Sequence, residues 1–314
     1  MTVRTKGIHH ITAIVGDPQE NVDFYAGVLG LRLVKKTVNF DDPGTYHFYF
    51  GDRTGRPGTI MTFFPWKKAK RGQIGSGQVG TTQFIVGEGS LDFWKNRLQS
   101  YGIEPIRSVR FGENTLSFKD WHGLQLELVE RKVGAKSDWS FGGIPEEMAI
   151  KGFGGAILLS IHPEKTIDLL EKVIGLERVA EENQTVRFRT ESELGHTIDV
   201  PLERVGQGLM GVGTVHHIAW RCSHEESQME WQKSLTQHGL QPTPVIDRQY
   251  FHSVYFRERG GLLFEAATDS PGFLIDESEK ELGRSLKLPP QYEQHRNQLE
   301  QVLEPIEVRE VTAK

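Results

Sequence analysis

Short runs of alternating apolar and polar residues recur along the chain, and a stretch with helical spacing follows the first run of each set. In the first set, ITAIV follows His10, apolar positions at helical spacing occupy residues 18–30, and three more alternating runs end near residue 65. A period of two residues predicts a strand, and a period of 3.6 predicts a helix. The pattern therefore predicts a module of one strand, one helix and three strands, abbreviated βαβββ.

This module occurs four times, over residues 7–65, 78–130, 152–202 and 213–269. The distance from the first strand to the glycine predicted to end the helix is 20 residues in three modules and 22 in the fourth: His10 to Gly30, Thr82 to Gly102, Gly155 to Gly175 and His217 to Gly239. Glycine tolerates the left-handed conformation that commonly ends a helix. The matching spacings therefore predict a fourfold internal repeat.

A single βαβββ module leaves one face of its sheet uncovered, so the modules must pair. The sequence therefore predicts an α+β fold of four βαβββ modules in two lobes. We expect an N-terminal domain over residues 5–130 and a C-terminal domain over residues 152–270. The stretch between them, residues 131–151, is rich in glycine, serine and charge and is predicted to be a linker. Residues 271–314 are predicted to form a charged, partly helical tail.

Paired histidines open the first strands of the first and fourth modules. His9 and His10 precede ITAIV, and His216 and His217 precede IAWRC. The fourth module also places Glu265 inside the apolar run GGLLFEAA. Burial of a lone carboxylate costs on the order of several kcal/mol, so this side chain needs a cation, a proton or an ion-pair partner. Two imidazoles and one carboxylate form a ligand set that suits non-haem Fe(II).

The strand period bears on which histidine of each pair binds a metal. The second members, His10 and His217, share the register of Thr82 and Gly155 in the other two modules, so we take them as candidate ligands together with Glu265. One metal ion reaches all three side chains only if module one pairs with module four. The competing hypothesis is that the carboxylate pairs with an arginine such as Arg248 and that the histidines are ordinary core residues.

The residues that match Glu265 in the other modules are expected to be Thr62, Glu127 and Asp199. Thr62 is a poor ligand for a transition metal, so the site is predicted to keep open positions for a substrate and for O₂ or water. Modules two and three contain no histidine at the first-strand position. We therefore expect them to form a second, metal-free lobe.

Composition narrows the function further. The hydrophobic fraction of 37% and the charged fraction of 25% are typical of a globular protein. The net charge of −5 gives no reason to expect nucleic acid, and the longest apolar run, residues 154–161, is too short to cross a bilayer. The single cysteine, Cys222, excludes an internal disulfide and suits a reducing compartment. We expect a cytoplasmic protein that binds neither nucleic acid nor membrane.

With these residues in place, the chain resembles the vicinal oxygen chelate superfamily over residues 5–270. The segments GIHHITAIVGDPQENVDFYAGVLGLRLVKKTVNF, GTVHHIAWRC, DRQYFHSVYF and GGLLFEAATDSPGF are most similar to its hydroquinone-type ring-cleaving dioxygenases. The resemblance implies cup-shaped mixed sheets and a dioxygenase that uses Fe²⁺, with Mn²⁺ as the alternative metal. Its partners would be O₂ and a small hydroquinone- or catechol-type aromatic.

The resemblance also assigns residues. It implies the metal ligands His10, His217 and Glu265, surrounded by the catalytic residues His9, His216, Arg248 and Tyr255. Either histidine or Tyr255 would move protons or stabilise developing negative charge. Arg248 would orient an anionic oxygen.

Other functions compete with this interpretation. A glyoxalase-like isomerase would need a fourth protein ligand, which Thr62 does not supply. A thiol transferase that acts on an antibiotic uses the same ligands with Mn²⁺, but normally on half as much chain. A non-enzymatic protein that binds a small molecule would contain no metal. The sequence leaves open the aromatic substrate, a role in degradation or detoxification, and the formation of a homo-oligomer.

Overall fold

Strands dominate the computed structural model, which describes residues 4–313. Its four βαβββ modules follow one another along the chain, as the sequence predicts. Module one consists of β1 (Ile8–Val15), α1 (Pro18–Val22), β2 (Arg32–Val38), β3 (Tyr46–Gly51) and β4 (Ile60–Pro65). Module two consists of β5 (Gln78–Val86), α2 (Leu91–Ser100), β6 (Ile106–Arg110), β7 (Glu113–Lys119) and β8 (Gln125–Glu130).

The second half of the chain repeats this order. Module three consists of β9 (Gly152–Leu159), α3 (Pro163–Leu169), β10 (Glu177–Glu182), β11 (Thr185–Arg189) and β12 (Thr197–Pro201). Module four consists of β13 (Thr214–Cys222), α4 (Glu225–Gln237), β14 (Ile246–Asp247), β15 (Phe251–Arg257) and β16 (Leu263–Pro271). The remaining residues contain three short 3₁₀ turns (Phe273–Ile275, Glu279–Glu281, Pro290–His295) and α5 (Arg296–Val302).

The first helix shows why the sequence folds this way locally. Asp17 caps α1, because its side chain accepts hydrogen bonds from the backbone N–H groups of Gln19 and Glu20. Pro18 stands at the first helical position, where its missing N–H costs nothing. The helix continues as a π-helical turn over Asp23–Val28, which the sequence pattern does not reveal. It ends before Gly30, whose φ of 71° lies in the left-handed region.

The modules pair across the two halves of the chain. One sheet has the order β14-β15-β16-β13-β1-β4-β3-β2 and joins modules four and one. The other has the order β10-β11-β12-β9-β5-β8-β7-β6 and joins modules three and two. The pairing of module one with module four, which a shared metal site requires, is therefore present. Each sheet contains one module from either side of residues 131–151, so both sheets extend across the predicted linker.

Alternate residues of β1 face opposite sides of the first sheet. Ile11, Ala13 and Val15 belong to the same buried hydrophobic cluster as residues of the first helix. His10 and Thr12 therefore face the other side of the sheet. This side forms the inside of a cup, because the loop after β2 contacts the segment after β14 at the far end of the sheet.

The structure corrects one register. We expected Thr82 of β5 to match His10 of β1. The pairing of β5 with β9, compared with that of β1 with β13, instead places Thr81 at this position, and Thr82 points to the opposite side of the sheet. The ladder between β5 and β9 shifts register at residues 79–81 and again at residues 83–84, and alternation in the sequence does not reveal such irregularities.

The C-terminal residues pack against module one. The buried Lys35 of β2 forms ion pairs with Asp276 and Glu277. The hydroxyl of Tyr292 donates a hydrogen bond to the carbonyl oxygen of Phe40, in the loop between β2 and β3. The tail therefore supports the strands and the loop that border the inside of the first cup. Within residues 4–313, no helix is long and apolar enough to span a membrane.

Candidate metal centre and cleft

Three predicted ligands meet at the centre of the first sheet. His10 Nε2 lies 3.2 Å from Glu265 Oε2 and 3.3 Å from His217 Nε2. His217 Nε2 lies 2.9 Å from the same carboxylate oxygen. All three side chains are buried, and within residues 4–313 they are the one group of this kind arranged closely enough to hold a metal ion. The structure thus brings together the second histidine of each pair with the carboxylate.

The separations between these atoms fit a metal ion that binds all three on one face. Ligand bonds of about 2.1 Å at right angles to one another place neighbouring ligand atoms about 3.0 Å apart. The observed separations of 2.9, 3.2 and 3.3 Å are close to this value. The arrangement is therefore suited to a facial set of ligands with further coordination positions on the cleft side.

The first histidine of each pair lies behind the second. His9 Nδ1 lies 2.9 Å from His10 Nδ1, and His216 Nδ1 lies 2.8 Å from His217 Nδ1. When the inner histidine of each pair donates through Nδ1, its Nε2 keeps a lone pair directed at the centre. Two such lone pairs and the carboxylate of Glu265 repel one another unless a cation lies between them. The donor set therefore fits a divalent metal.

The outer histidines suit the role of acceptor. Burial lowers the pKa of His9 well below its usual value, and the adjacent His10 lowers it further. Burial and His217 likewise lower the pKa of His216 to about 3. Both imidazoles are therefore neutral at pH 7, and a neutral imidazole has the unprotonated nitrogen that an acceptor needs.

Glu265 is fixed from one side and free on the other. Its Oε1 accepts a hydrogen bond from Ser253 Oγ at 2.5 Å, whereas its Oε2, which faces the histidines, accepts none from the described residues. Burial alone would raise the pKa of this carboxyl group, but His10 and His217 lower it well below its usual value. The side chain is therefore ionised and oriented towards the centre.

Module one presents different groups at the matching positions. By strand register, its counterparts are Thr62 for Glu265, His47 for Ser253 and Tyr49 for Tyr255. His47 Nε2 lies 2.8 Å from Thr62 Oγ1, and the hydroxyl of Tyr49 lies 2.9 Å from His47 Nδ1. Both nitrogens of His47 thus have partners, and burial together with the imidazoles of His10 and His217 lowers its pKa. This side of the centre is polar but supplies no fourth ligand.

A cleft of about 400 Å³ opens onto the centre and is lined mainly by aromatic side chains. Phe40, Phe64 and Trp66 from module one face Phe251 and Tyr255 from module four across it. Apolar walls with a few polar groups at one end are typical of a site for a small, largely apolar ligand. The volume is suited to a substituted single aromatic ring.

Arg248 lies at the mouth of this cleft and does not pair with Glu265. Its Nε donates to the hydroxyl of Tyr255 at 3.3 Å, and its Nη2 lies 3.2 Å from Asp41 Oδ2 in the loop after β2. Burial would lower the pKa of this guanidinium, but Tyr255 and Asp41 raise it, so the group is charged. The hypothesis that Arg248 neutralises Glu265 is therefore wrong for this structure.

The family model of the Glyoxalase/Bleomycin resistance protein/Dioxygenase superfamily matches residues 7–128 and 156–266. The chain belongs to this superfamily. Each matched stretch covers one pair of βαβββ modules, and the family resemblance drawn from the sequence is confirmed.

Relatives within the superfamily are similar to the whole chain. “Putative ring-cleaving dioxygenase MhqO” of Bacillus subtilis (strain 168) is 57% identical over 311 residues, which cover 99% of this chain and 100% of the relative. “Chlorohydroquinone/hydroquinone 1,2-dioxygenase” of Sphingobium indicum is 32% identical over 309 residues, covering 94% and 95%. A crystal structure of a Bacillus subtilis protein, 57% identical, superposes with a TM-score of 0.97 over 98% of this chain and 99% of its own.

The second sheet uses the same superfamily scaffold without histidines. Gly155 takes the place of His217, and Asp199 takes the place of Glu265. Arg187 Nε lies 2.7 Å from Asp199 Oδ1, and Arg110 lies 3.2 Å from the other oxygen of this carboxylate. Ion pairs therefore occupy the inside of this cup, as befits the expected metal-free lobe.

Sequence reasoning missed several residues around the centre. His47 and Tyr49 lie in an aromatic run, TYHFYF, that reads as an ordinary buried strand. Asp41 lies in a polar loop with turn-forming residues. The spacing of His47 and Tyr49, two residues apart on one face, was an available signal, because module four carries Ser253 and Tyr255 at the same spacing.

Proposed function

We propose that this protein is an Fe²⁺-dependent dioxygenase that cleaves the ring of a hydroquinone- or catechol-type aromatic. The observation that carries the proposal is the convergence of His10, His217 and Glu265 at the base of an aromatic-lined cleft, with Thr62 in place of a fourth ligand. The names of the relatives, which include a chlorohydroquinone/hydroquinone dioxygenase, support the same reaction class.

The three ligands would hold the metal through His10 Nε2, His217 Nε2 and one carboxylate oxygen of Glu265. A bound Fe²⁺ supplies a Lewis-acidic centre that lowers the pKa of a coordinated phenol and binds O₂. Mn²⁺ prefers an overlapping ligand set and is the alternative. Ser253 would keep the carboxylate in position through its hydrogen bond to Oε1.

His9 and His216 would act mainly by accepting the Nδ1 hydrogen of the inner histidines. This contact fixes the tautomer and the ring orientation of each ligand. His216 also lines the cleft, where it is within reach of a ligand and is the better placed of the two to accept a proton from a substrate hydroxyl.

Tyr255 would contact the substrate, and Arg248 would hold Tyr255. Burial and the carboxylate of Glu265 raise the pKa of Tyr255, so its hydroxyl stays protonated at neutral pH. A protonated phenol within the cleft can donate a hydrogen bond to an oxygen that becomes negatively charged during the reaction. Arg248 donates to the same hydroxyl oxygen and fixes its position.

We further propose a cytoplasmic location and a role in aromatic degradation or quinone detoxification. The one cysteine, Cys222, is buried, and burial raises the pKa of its thiol, so it does not depend on an oxidising compartment. The chemistry of hydroquinones, which oxidise readily to reactive quinones, suits either role.

The test is anaerobic reconstitution with Fe²⁺, followed by measurement of bound iron and of O₂ uptake with hydroquinone and catechol. We expect about one iron per chain and a ring-opened product formed in step with O₂ consumption. His217→Ala should abolish both iron binding and O₂ uptake, whereas the exposed His295→Ala should change neither. Bound metal without O₂ uptake would favour an isomerase, and a protein that binds aromatics without metal would be a non-enzymatic binder.

A further inference from the structure

One permanently charged cation borders the cleft within the described chain, and its charge is already paired. Among the lining residues, Arg248 carries positive charge, and Asp41 and Asp42 carry negative charge. Arg248 Nη2 lies 3.2 Å from Asp41 Oδ2, and Nη1 donates to Asp41 Oδ1 at 3.4 Å. Its Nε donates to Tyr255. All the nitrogens of the guanidinium therefore face protein oxygens, and the acidic side chains outnumber the cation.

The loop that carries Asp41 is built to hold it at the mouth. Asn39 closes the loop twice, because its backbone N–H donates to the carbonyl oxygen of Thr45 at 2.8 Å and its side chain accepts from the backbone N–H of Asp41 at 2.9 Å. The C-terminal tail anchors the same loop through Tyr292, whose hydroxyl donates to the carbonyl oxygen of Phe40. Asp41 thus reaches from module one across the cleft to module four.

The ion pair is exposed on one side only. The side chain of Asp41 is 75% exposed, whereas that of Arg248 is 19% exposed. An exposed pair of this kind contributes little to stability. Its importance lies in electrostatics: a second anion that approaches the guanidinium must displace Asp41 and approach Asp42 as well.

We propose that Asp41 is a specificity-determining residue that makes the cleft select uncharged dihydroxybenzenes and disfavour rings that carry a carboxylate. This inference rests on the proposed function, because it concerns the substrates of the same site. Asp41 occupies the face of Arg248 that would otherwise form a bidentate pair with the carboxylate of a ligand. The remaining walls, Phe40, Phe64, Trp66 and Phe251, favour apolar substituents on the ring.

The test compares two probes that differ in one group, 2,5-dihydroxyphenylacetamide and 2,5-dihydroxyphenylacetate. Their dissociation constants are measured by anaerobic calorimetry on the Fe²⁺-loaded protein, so that no turnover occurs. We expect the wild type to bind the amide about tenfold more tightly than the acid. Asp41→Asn should remove most of this preference by strengthening binding of the acid, and the double variant Asp41→Asn/Arg248→Gln should lose the gain.

Asp42→Asn is the matched control, because Asp42 lies in the same loop and lines the same cleft but forms no ion pair with Arg248. It should leave the ratio of the two dissociation constants within about twofold of the wild type, since exposed charges are largely screened. An unchanged ratio in Asp41→Asn, or an equal change in both variants, would overturn the inference while leaving the proposed function intact. Failure of the amide to bind the wild type would overturn both.

Discussion

The two sheets have the same strand order and matching registers, but the insides of their cups differ. In the first, His10, His217 and Glu265 direct three metal-binding atoms at one point. In the second, Asp199 occupies the place of Glu265 but pairs with Arg187 and Arg110. A buried carboxylate needs a cation in either case. The comparison teaches that one sheet carries that cation within the chain, whereas the other leaves the position to a metal.

A second comparison lies within the first sheet. Module four offers Glu265, Ser253 and Tyr255, and module one offers Thr62, His47 and Tyr49 at the matching positions. The replacement of Glu265 by a threonine is what keeps one side of the centre free of protein ligands. His47 fills the space next to that threonine and forms hydrogen bonds through both ring nitrogens, so it borders the open side without closing it.

The sharpest test of the first comparison removes the matched carboxylates one at a time. Glu265→Ala should abolish metal binding, a larger loss than the about 10–100-fold that follows removal of a residue supporting a ligand. Asp199→Ala should keep the metal but lower the free energy of unfolding by about 3–5 kcal/mol, because it leaves buried arginine charge unpaired. Metal titration and urea unfolding check the two variants. Loss of metal in Asp199→Ala, or full metal binding in Glu265→Ala, would break the comparison.

A smaller effect is expected from His9→Phe. The substitution removes the acceptor for His10 Nδ1 and frees the imidazole to rotate or change tautomer. We expect metal affinity to fall by about 10–100-fold. The control is His252→Phe, since His252 pairs with Glu225 rather than with a candidate ligand. Competition with a chelator measures both affinities, and equal values for His9→Phe and the wild type would show that the outer histidine has no influence on the ligand.

The smallest effect concerns the pH dependence of the second sheet. Burial would raise the pKa of Glu113, but its pairs with Arg131 and Arg187 hold it below the usual value. A carboxyl group with a depressed pKa in the folded state stabilises the protein above its unfolded pKa of about 4.3, and this contribution is lost as the pH falls through the folded pKa. The free energy of unfolding should therefore decrease below about pH 5, and less steeply in Glu113→Gln. Parallel curves for the two proteins would contradict this assignment.

Much of this architecture follows from the sequence, because strand and helix periods and the recurrent glycines are local signals. The four modules, their pairing and the three metal-binding side chains were all predicted from them. The position of Thr81 was not, because two register shifts in the ladder between β5 and β9 depend on the partner strand. The roles of His47 and Asp41 were also missed, since they depend on contacts with residues far away in the chain.

The central claim is that the two cups differ in metal binding, and anomalous diffraction from crystals grown anaerobically with Fe²⁺ tests it most directly. We predict one peak at the iron edge, within bonding distance of His10 Nε2, His217 Nε2 and a carboxylate oxygen of Glu265, and no peak beside Asp199. A peak in the second cup, or its absence between the two histidines in protein that contains iron, would contradict the account.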